Sequence, residues 1–347
     1  MAACTVLAIE TSCDDTSVAI VDSTGFVTKC ISANQDMAHR PFGGVVPELA
    51  SRNHTLQILP LIEELFTQGK CNWDSIDGIA VTSRPGLIGS LLVGVVTAKT
   101  LAAVKEKPFV GVNHLEAHLF APFLYDNELS QNHELKFPFL ALAISGGHTQ
   151  LYRVEEFGKS FVLGRTIDDA AGEAFDKFAK HLGLGFPGGV LIDREAQKNG
   201  DPAFYKIPRT MLKDESLNFS FSGIKSAAIR LVDSLSDEEK LSHRHHLCAS
   251  FQEAIVDTLM NRLNQAALTQ NLKQVVLTGG VSANSRLRSV AQSWAQKNGL
   301  QIFIPPVRYC TDNAAMVGYV GAQRLLRGES HSHELAPSAS SFPSDFL

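Results

Sequence analysis

The sequence predicts an α/β protein built as two lobes, each opened by a β-hairpin. Three observations predict it. The chain has 347 residues, too long for one ordinary core and suited to two. A strand, a short polar turn and a return strand occur at Val6–Glu10, Thr11–Thr16 and Ser17–Asp22. The pattern recurs at Leu140–Ile144, Ser145–Thr149 and Gln150–Val154, which reads as an internal duplication. Strand-like and helix-like stretches alternate between and after the hairpins, as α/β proteins require.

In the first half, Pro47–Glu64 carries apolar residues at helical spacing. Ile76–Val81 is a short apolar strand, Gly89–Val104 a helix and Phe109–Val112 another strand. In the second half, Asp169–Leu182 and Leu247–Leu263 read as amphipathic helices. Gln274–Thr278 reads as a buried strand and Ser285–Lys297 as the helix after it. The polar stretch Tyr125–Lys136 is the expected link between lobes. The Ser-, Pro- and His-rich tail from Gly328 is expected to be mobile.

Hydrophobic residues make up 44% of the chain and charged residues 19%, which excludes a disordered chain. The net charge of −5 does not suit a lone nucleic-acid binder. If RNA is the substrate, local patches or partner subunits must supply positive charge. Six cysteines at irregular spacing, with no CxxC pair, read as reduced thiols. Cys13 lacks an evident base and reads as a packed small residue. The apolar run Leu87–Ala98 is too short to span a bilayer and reads as a buried helix. The chain enters a strand pattern by Thr5, leaving no room for a targeting segment. The expectation is a soluble cytoplasmic protein without a membrane partner.

His114 and His118 follow a strand and stand four apart, so both project from one helical face. That spacing suits a shared metal as well as two satisfied helix histidines. Glu116 lies roughly 200° from His114 around a helix, unlike the glutamate of the HExxH protease motif. Asp312 precedes an apolar helix, where it suits a helix cap or the carboxylate of a two-His-one-carboxylate site. The three meet only if a closed two-lobe fold brings them together.

Other motifs suit a nucleotide. Ser145-Gly146-Gly147 is a turn whose N–H groups can approach anionic oxygens, or a plain hairpin turn. Thr278–Asn284 joins a buried strand to a helix, where a helix N-terminus can hold a nucleotide. Neither the dinucleotide fingerprint nor a Walker A motif is present. Asp168–Lys177 places Asp169 and Asp176 seven apart on a helix, a solvated acidic face or a site. Gly185–Asp193 would bring Gly189 and Asp193 to a ligand's hydroxyls, or form a turn before a helix. Phe219–Lys225 reads as core packing, and His243-Arg244-His245-His246 as a solvated loop.

Taken in order, IETSCDDTSVAI, GGVVPELASRNH, PGLIGSLLVG, NHLEAH, ISGGHTQL, IDDAAGEAFDK, FPGG, FSFSGIKSA, TGGVSAN and CTDNAAM run from Ile9 to Met316. They resemble the tRNA N6-adenosine threonylcarbamoyltransferases, once called O-sialoglycoprotein endopeptidases. GEAFDK and FSFSGIK are similar to the bacterial branch. The resemblance implies a two-lobed actin-like ATPase (ASKHA) fold. An N-terminal lobe would span 1–135 and a C-terminal lobe with the substrate motifs 136–310. The segment 311–347 would bring back the ligand Asp312, a closing helix and the tail.

The resemblance further implies that His114, His118 and Asp312 hold one divalent metal ion per subunit, iron or zinc. Ala143, Ile144, Ser145, Gly146, Gly147, Asp176, Gly189, Asp193 and Asn284 match positions that bind threonylcarbamoyl-AMP. Asp15 stands where members often carry Glu. The implied reaction transfers the threonylcarbamoyl group to N6 of adenosine 37, in tRNAs reading codons that begin with A, and releases AMP. Asp14 is the candidate general base. The implied partners are a paralogous subunit of the same fold and a small ATPase. A metalloprotease, a kinase of the same fold and a scaffold subunit are the rival classes.

Overall fold

The computed structural model describes residues 3–210 and 216–341. The chain divides into two compact units, Met1–Leu135 with Asp312–Leu347, and Lys136–Thr311.

The first unit is built on β1 (Thr5–Glu10), β2 (Thr16–Asp22), β3 (Val27–Ala33), β4 (Gly78–Arg84) and β5 (Phe109–Asn113), in the order β3-β2-β1-β4-β5. β1 pairs antiparallel with β2 and parallel with β4. Its helices are α1 (Asp36–His39), α2 (Pro47–Gly69), α3 (Ile88–Lys105) and α4 (His114–Phe120). β1 and β2 read as nearly continuous apolar runs because both faces are covered. Leu7, Ile9, Val18 and Ile20 share a core with Ile58, Leu61 and Leu65 of α2 and Val95 and Ala98 of α3. Side chains alternate along a strand, so Ala8 and Val21 face the other way.

The second unit contains β6 (Phe139–Ile144), β7 (Thr149–Glu156), β8 (Lys159–Arg165), α5 (Ala171–His181), α6 (Gly188–Ala196), α7 (Ser222–Asp233), α8 (Asp237–Ser242) and α9 (Arg244–Gln270). It continues with β9 (Gln274–Thr278), α10 (Ser285–Asn298), β10 (Gln301–Phe303) and α11 (Val307–Cys310). Its strand order is β10-β9-β6-β7-β8. β6 pairs antiparallel with β7 and parallel with β9, as β1 does with β2 and β4. Each sheet therefore repeats one plan: three antiparallel strands led by the hairpin, then two parallel ones. The structure adds β3, β8 and β10 to the expected strands. They end their sheets, and the edge strand β8 is largely exposed, so no apolar run marks it.

After the second unit the chain returns to the first sheet through α12 (Ala314–Leu326), which packs on β1, β2, β4 and β5. Two glycines set its distance. A Cβ on Gly318 would lie 2.8 Å from Val21 Cγ2 and 3.0 Å from Ala8 Cβ, and one on Gly321 would lie 2.2 Å from Ala80 Cβ. Helix and sheet touch backbone-close, with Ala8 and Ala80 as the facing side chains.

The tail differs from expectation in its described part. His331 N–H donates to Phe109 O at 2.9 Å, and Gly111 N–H donates to His331 Nδ1 at 3.2 Å. Ser338 N–H donates to Ser83 O at 2.9 Å. Few apolar residues are needed for such attachment, because the tail bonds backbone groups of the edge strand β5 and of Ser83 on the neighbouring β4. Residues 342–347, also included in that expectation, lie outside the described residues. α3 differs too. Ser90, Leu91, Gly94, Val95, Ala98 and Ala102 are buried, but Ile88, Leu92, Val96 and Val104 are exposed. At 18 residues it has the length and composition of a membrane span, yet one face packs on α2 and β4.

Gly321→Val should lower stability by about 1–3 kcal/mol, the usual cost of overpacking a filled core. Gly44→Ala, where a Cβ meets nothing within 4 Å, should leave it near wild type. Urea unfolding midpoints of the two variants check this; equal midpoints would contradict the close helix–sheet contact.

Candidate functional site

Two asparagines deliver the histidines and the aspartate. Asn113 caps α4, its Oδ1 accepting from Leu115 N–H at 2.8 Å and Glu116 N–H at 3.2 Å. His114 therefore starts the helix, and His118 follows one turn later on the same face. Asn313 caps α12, accepting from Met316 N–H at 3.0 Å. The cap is thus Asn313, not Asp312, and the Asp312 carboxylate turns to the histidines instead. Asp312 Oδ1 lies 3.2 Å from His118 Nε2 and 3.4 Å from His114 Nε2. One ligand atom from each of the three residues lies within 4.8 Å of the others. All three residues belong to the first unit. A closed pair of lobes is not what brings them together; the return of the chain through α12 is.

The imidazoles are buried, and the Asp312 side chain keeps 24% of its surface exposed, so the triad is open on its carboxylate side. A tetrahedral ion with bonds of about 2.0–2.1 Å separates neighbouring ligand atoms by about 3.4 Å. The two Asp312–histidine spacings match that separation, and two imidazoles with one carboxylate suit a divalent transition metal. Charge acts strongly at this spacing. Burial alone would lower the His114 pKa, but Asp312 and Glu10 outweigh it and hold the imidazole well above its usual value. Burial dominates at His118, which is lowered. Burial would raise Asp312, but His114 and then His118 hold it well below the usual carboxylate range.

Glu116 is buried and pairs with Arg324 of α12, Oε2 to Nη2 at 2.5 Å. It ties α4 to α12 and is not turned to the triad as a protease glutamate would be.

The β1–β2 loop is held by neighbouring helices. His54 of α2 donates from Nε2 to Cys13 O at 3.0 Å, and its Nδ1 lies 2.7 Å from Thr16 Oγ1. Leu87 N–H donates to Ser12 O at 2.8 Å, and Thr11 Oγ1 donates to Ser90 O at 2.9 Å. His54 was not singled out in the sequence. Its place in a long amphipathic helix gives it no distinguishing pattern. The Cys13 thiol is pushed well up by burial and by Asp14, in keeping with a packed side chain. Burial, and Asp312 beyond it, raise Asp14. Burial, Asp312 and Asp14 together push Asp15 up to about 8, although Asn34 Nδ2 donates to it at 2.9 Å.

In the second unit, Ala143 and Ile144 end β6, and Ser145, Gly146 and Gly147 form the turn into β7. Ser145 N–H donates to His148 O at 2.8 Å and closes it. A Cβ on Gly146 or Gly147 would meet nothing within 4 Å, and neither residue has positive φ. The turn itself does not demand glycine there. α5 starts against this turn, because a Cβ on Gly172 would lie 2.6 Å from Ser145 O. Asp176 of α5 accepts from Gly188 N–H at 2.7 Å and fixes the start of α6, next to Gly189. Asp193 of α6 accepts from Ser285 Oγ at 2.7 Å and Ser285 N–H at 3.1 Å. Asn284 caps α10 by accepting from Leu287 N–H at 3.0 Å, and its Nδ2 donates to Gln252 at 2.8 Å. Asp193 and Asn284 thus meet at the start of α10, while Asp176 and Gly189 meet at the start of α6.

Asp169 does not share a helical face with Asp176, since α5 starts at Ala171. It pairs with Lys177 at 2.9 Å and with Lys225. Asp168 accepts from Ser220 Oγ at 2.6 Å and Phe221 N–H at 2.8 Å. The two carboxylates clamp the Phe219–Lys225 segment rather than forming a solvated acidic face. Phe219 and Phe221 are fully buried. The His243–His246 run is not a loop either: α9 starts at Arg244, and Phe204 stacks on His246 with ring centroids 4.1 Å apart.

Comparison with known proteins joins these features. Residues 27–319 match the family model of tRNA N6-adenosine threonylcarbamoyltransferase. The chain belongs to that family. A relative of that name from Bdellovibrio bacteriovorus is 56% identical over 341 residues, covering 98% of this chain and 99% of that protein. One from Anaeromyxobacter dehalogenans strain 2CP-C is 50% identical, covering 95% and 97%. Among solved structures, full-length HypF in its phosphate- and nucleotide-bound form is 13% identical with a TM-score of 0.58, covering 95% of this chain and 56% of that one. That match speaks to fold alone. The family and the duplicated sheets agree with the expected actin-like ATPase class.

Within this family member, Asp15 binds a proton in the native state up to pH of about 8, whereas the unfolded chain releases it near 3.8. The native state holds the extra proton across that window, so this group's contribution to stability falls as pH rises through it. Asp15→Asn cannot titrate. In metal-free protein, its unfolding midpoint relative to wild type should rise steadily between about pH 4 and 8. A difference independent of pH would contradict the raised Asp15.

Proposed function

We propose that the chain transfers the threonylcarbamoyl group of threonylcarbamoyl-AMP to N6 of adenosine 37, in tRNAs that read codons beginning with A, and releases AMP. Membership of the family along nearly the whole chain carries this reading. The amine nitrogen of N6 attacks the carbamoyl carbonyl, a C–N bond forms, the bond to the adenylate oxygen breaks, and N6 gives up a proton. Asp14, raised by burial, is the candidate to take that proton.

The glycines of the Ser145–Gly147 turn support a role in holding the adenylate: side chains there would fill space the fold leaves empty. Main-chain donors of such a turn stabilise developing negative charge. Ala143, Ile144, Asp176, Gly189, Asp193 and Asn284 complete the proposed adenylate-binding set. His114, His118 and Asp312 would hold one divalent ion, iron or zinc, which when bound supplies a Lewis acid with open positions. The pairing of Glu116 with Arg324 argues against the protease reading.

The enzyme acts in the cytoplasm with a paralogous subunit of its own fold and a small ATPase. The paralogue's surface is the outer face of α2 and α3. Leu56 and Leu59 on α2, and Ile88, Leu92 and Val96 at four-residue intervals on α3, are each at least half exposed. Apolar stripes of this kind fit helix-on-helix association.

Nucleoside mass analysis of tRNA incubated with the chain, the partner proteins and threonylcarbamoyl-AMP, formed from threonine, bicarbonate and ATP by a separate adenylate-making enzyme, tests the reaction; no threonylcarbamoyladenosine would refute it. His118→Ala or Asp312→Ala should drop bound metal well below one ion per chain and abolish modification, with near-native circular dichroism. Full metal occupancy by elemental analysis would sink the triad. Leu59→Glu with Leu92→Glu should abolish co-elution with the paralogous subunit while the chain alone stays monodisperse. Intact co-elution would move the interface elsewhere.

A further inference from the structure

We infer that Glu10 is the positioning carboxylate of the metal site, fixing His114 in the tautomer that a metal requires. The inference rests on the reading that the triad holds a divalent ion.

Glu10 ends β1 with its side chain 1% exposed. A charge buried that deeply needs partners, and three separate elements supply them. Ser12 N–H, from the β1–β2 loop, donates to Oε1 at 2.5 Å. Thr82 Oγ1, on β4, donates to Oε2. His114 Nδ1, on α4, lies 3.2 Å from the same Oε2. Ser12 Oγ also lies 3.2 Å from His114 Nδ1.

An ionised carboxylate accepts and cannot donate. Both Glu10 oxygens already act as acceptors, from Ser12 N–H and Thr82 Oγ1, so the hydrogen at the Glu10–His114 contact is assigned to Nδ1. In the neutral ring that leaves Nε2 with its lone pair, and Nε2 is the nitrogen facing Asp312 at 3.4 Å. With the other tautomer, a bare Nδ1 would face the carboxylate and an N–H would occupy the ligand position. The pull of the carboxylate also makes the imidazole a stronger base toward a metal. Thr82 aims the carboxylate by occupying the same oxygen from the neighbouring strand. Glu10 touches neither substrate nor metal; it acts through His114.

The test uses full-length protein and Zn²⁺ alone, with affinity read by chelator competition. Glu10→Gln should bind Zn²⁺ about 10–100-fold more weakly, the usual effect of losing such a partner. Thr82→Val, which keeps the charge but loosens its aim, should weaken it less. Co²⁺-loaded Glu10→Gln should show an altered visible spectrum, which a purely structural role would not produce. Wild-type Zn²⁺ affinity in Glu10→Gln would overturn the inference, provided that His118→Ala has lost the metal. Wild-type affinity in His118→Ala would instead overturn the triad. If Glu10→Gln does not fold, the Zn²⁺-loaded wild type decides. ¹⁵N-histidine spectra, with His114 assigned by its absence in His114→Gln, should show Nδ1 protonated, and a proton on Nε2 would overturn the inference.

Discussion

The close contact between α12 and the first sheet is the constraint on which the site depends. Gly318 and Gly321 let the helix lie against Ala8, Val21 and Ala80 without intervening side chains. That depth sets where the start of α12 falls, and Asp312 precedes it by one capping residue. A larger residue at either glycine would lift the helix and carry the carboxylate away from His114 and His118. The Glu116–Arg324 pair and the Gln323 side chain, which donates to Ser23 O at 2.5 Å, hold the same helix farther along. Packing, capping and ligand geometry are thus one arrangement.

The two hairpins show one plan put to different uses. The turn after β6 stays glycine-rich and open. The corresponding loop after β1 is polar, acidic and tied down by His54, Ser90 and Leu87. Burial among neighbouring carboxylates keeps Asp14 and Asp15 from ionising in their normal range. One hairpin leaves an open glycine turn; the other packs two carboxyl groups close to Asp312.

Much of this was legible in the sequence where a pattern had a physical cause. The hairpins announced themselves by apolar runs broken by small and polar residues, and His114 and His118 by their spacing. Asp312 was ambiguous because Asp and Asn both cap helices, and only the fold shows that Asn313 took that role. Glu10 read as the last residue of a strand. Its partners Thr82 and His114 are distant in sequence, so no local pattern could mark it. The stretch Asp168–Lys177 suggested a solvated acidic face because Lys225, which pairs with Asp169, and Ser220, which donates to Asp168, lie about fifty residues away. Edge strands escaped because one exposed side leaves no continuous apolar run.

The first unit is discontinuous in sequence, and this bears on how the protein is made. A ribosome releases β1 through α4, with both histidines, before any of Lys136–Thr311. Until that whole second unit has emerged, the first sheet lacks the helix that covers one of its faces, and the histidines lack their carboxylate. A chain cut short anywhere in the second unit contains both histidines but never Asp312. Assembly of the triad therefore reports completed synthesis as well as a completed fold, and a prematurely ended chain is left with an uncovered apolar sheet for quality control to recognise.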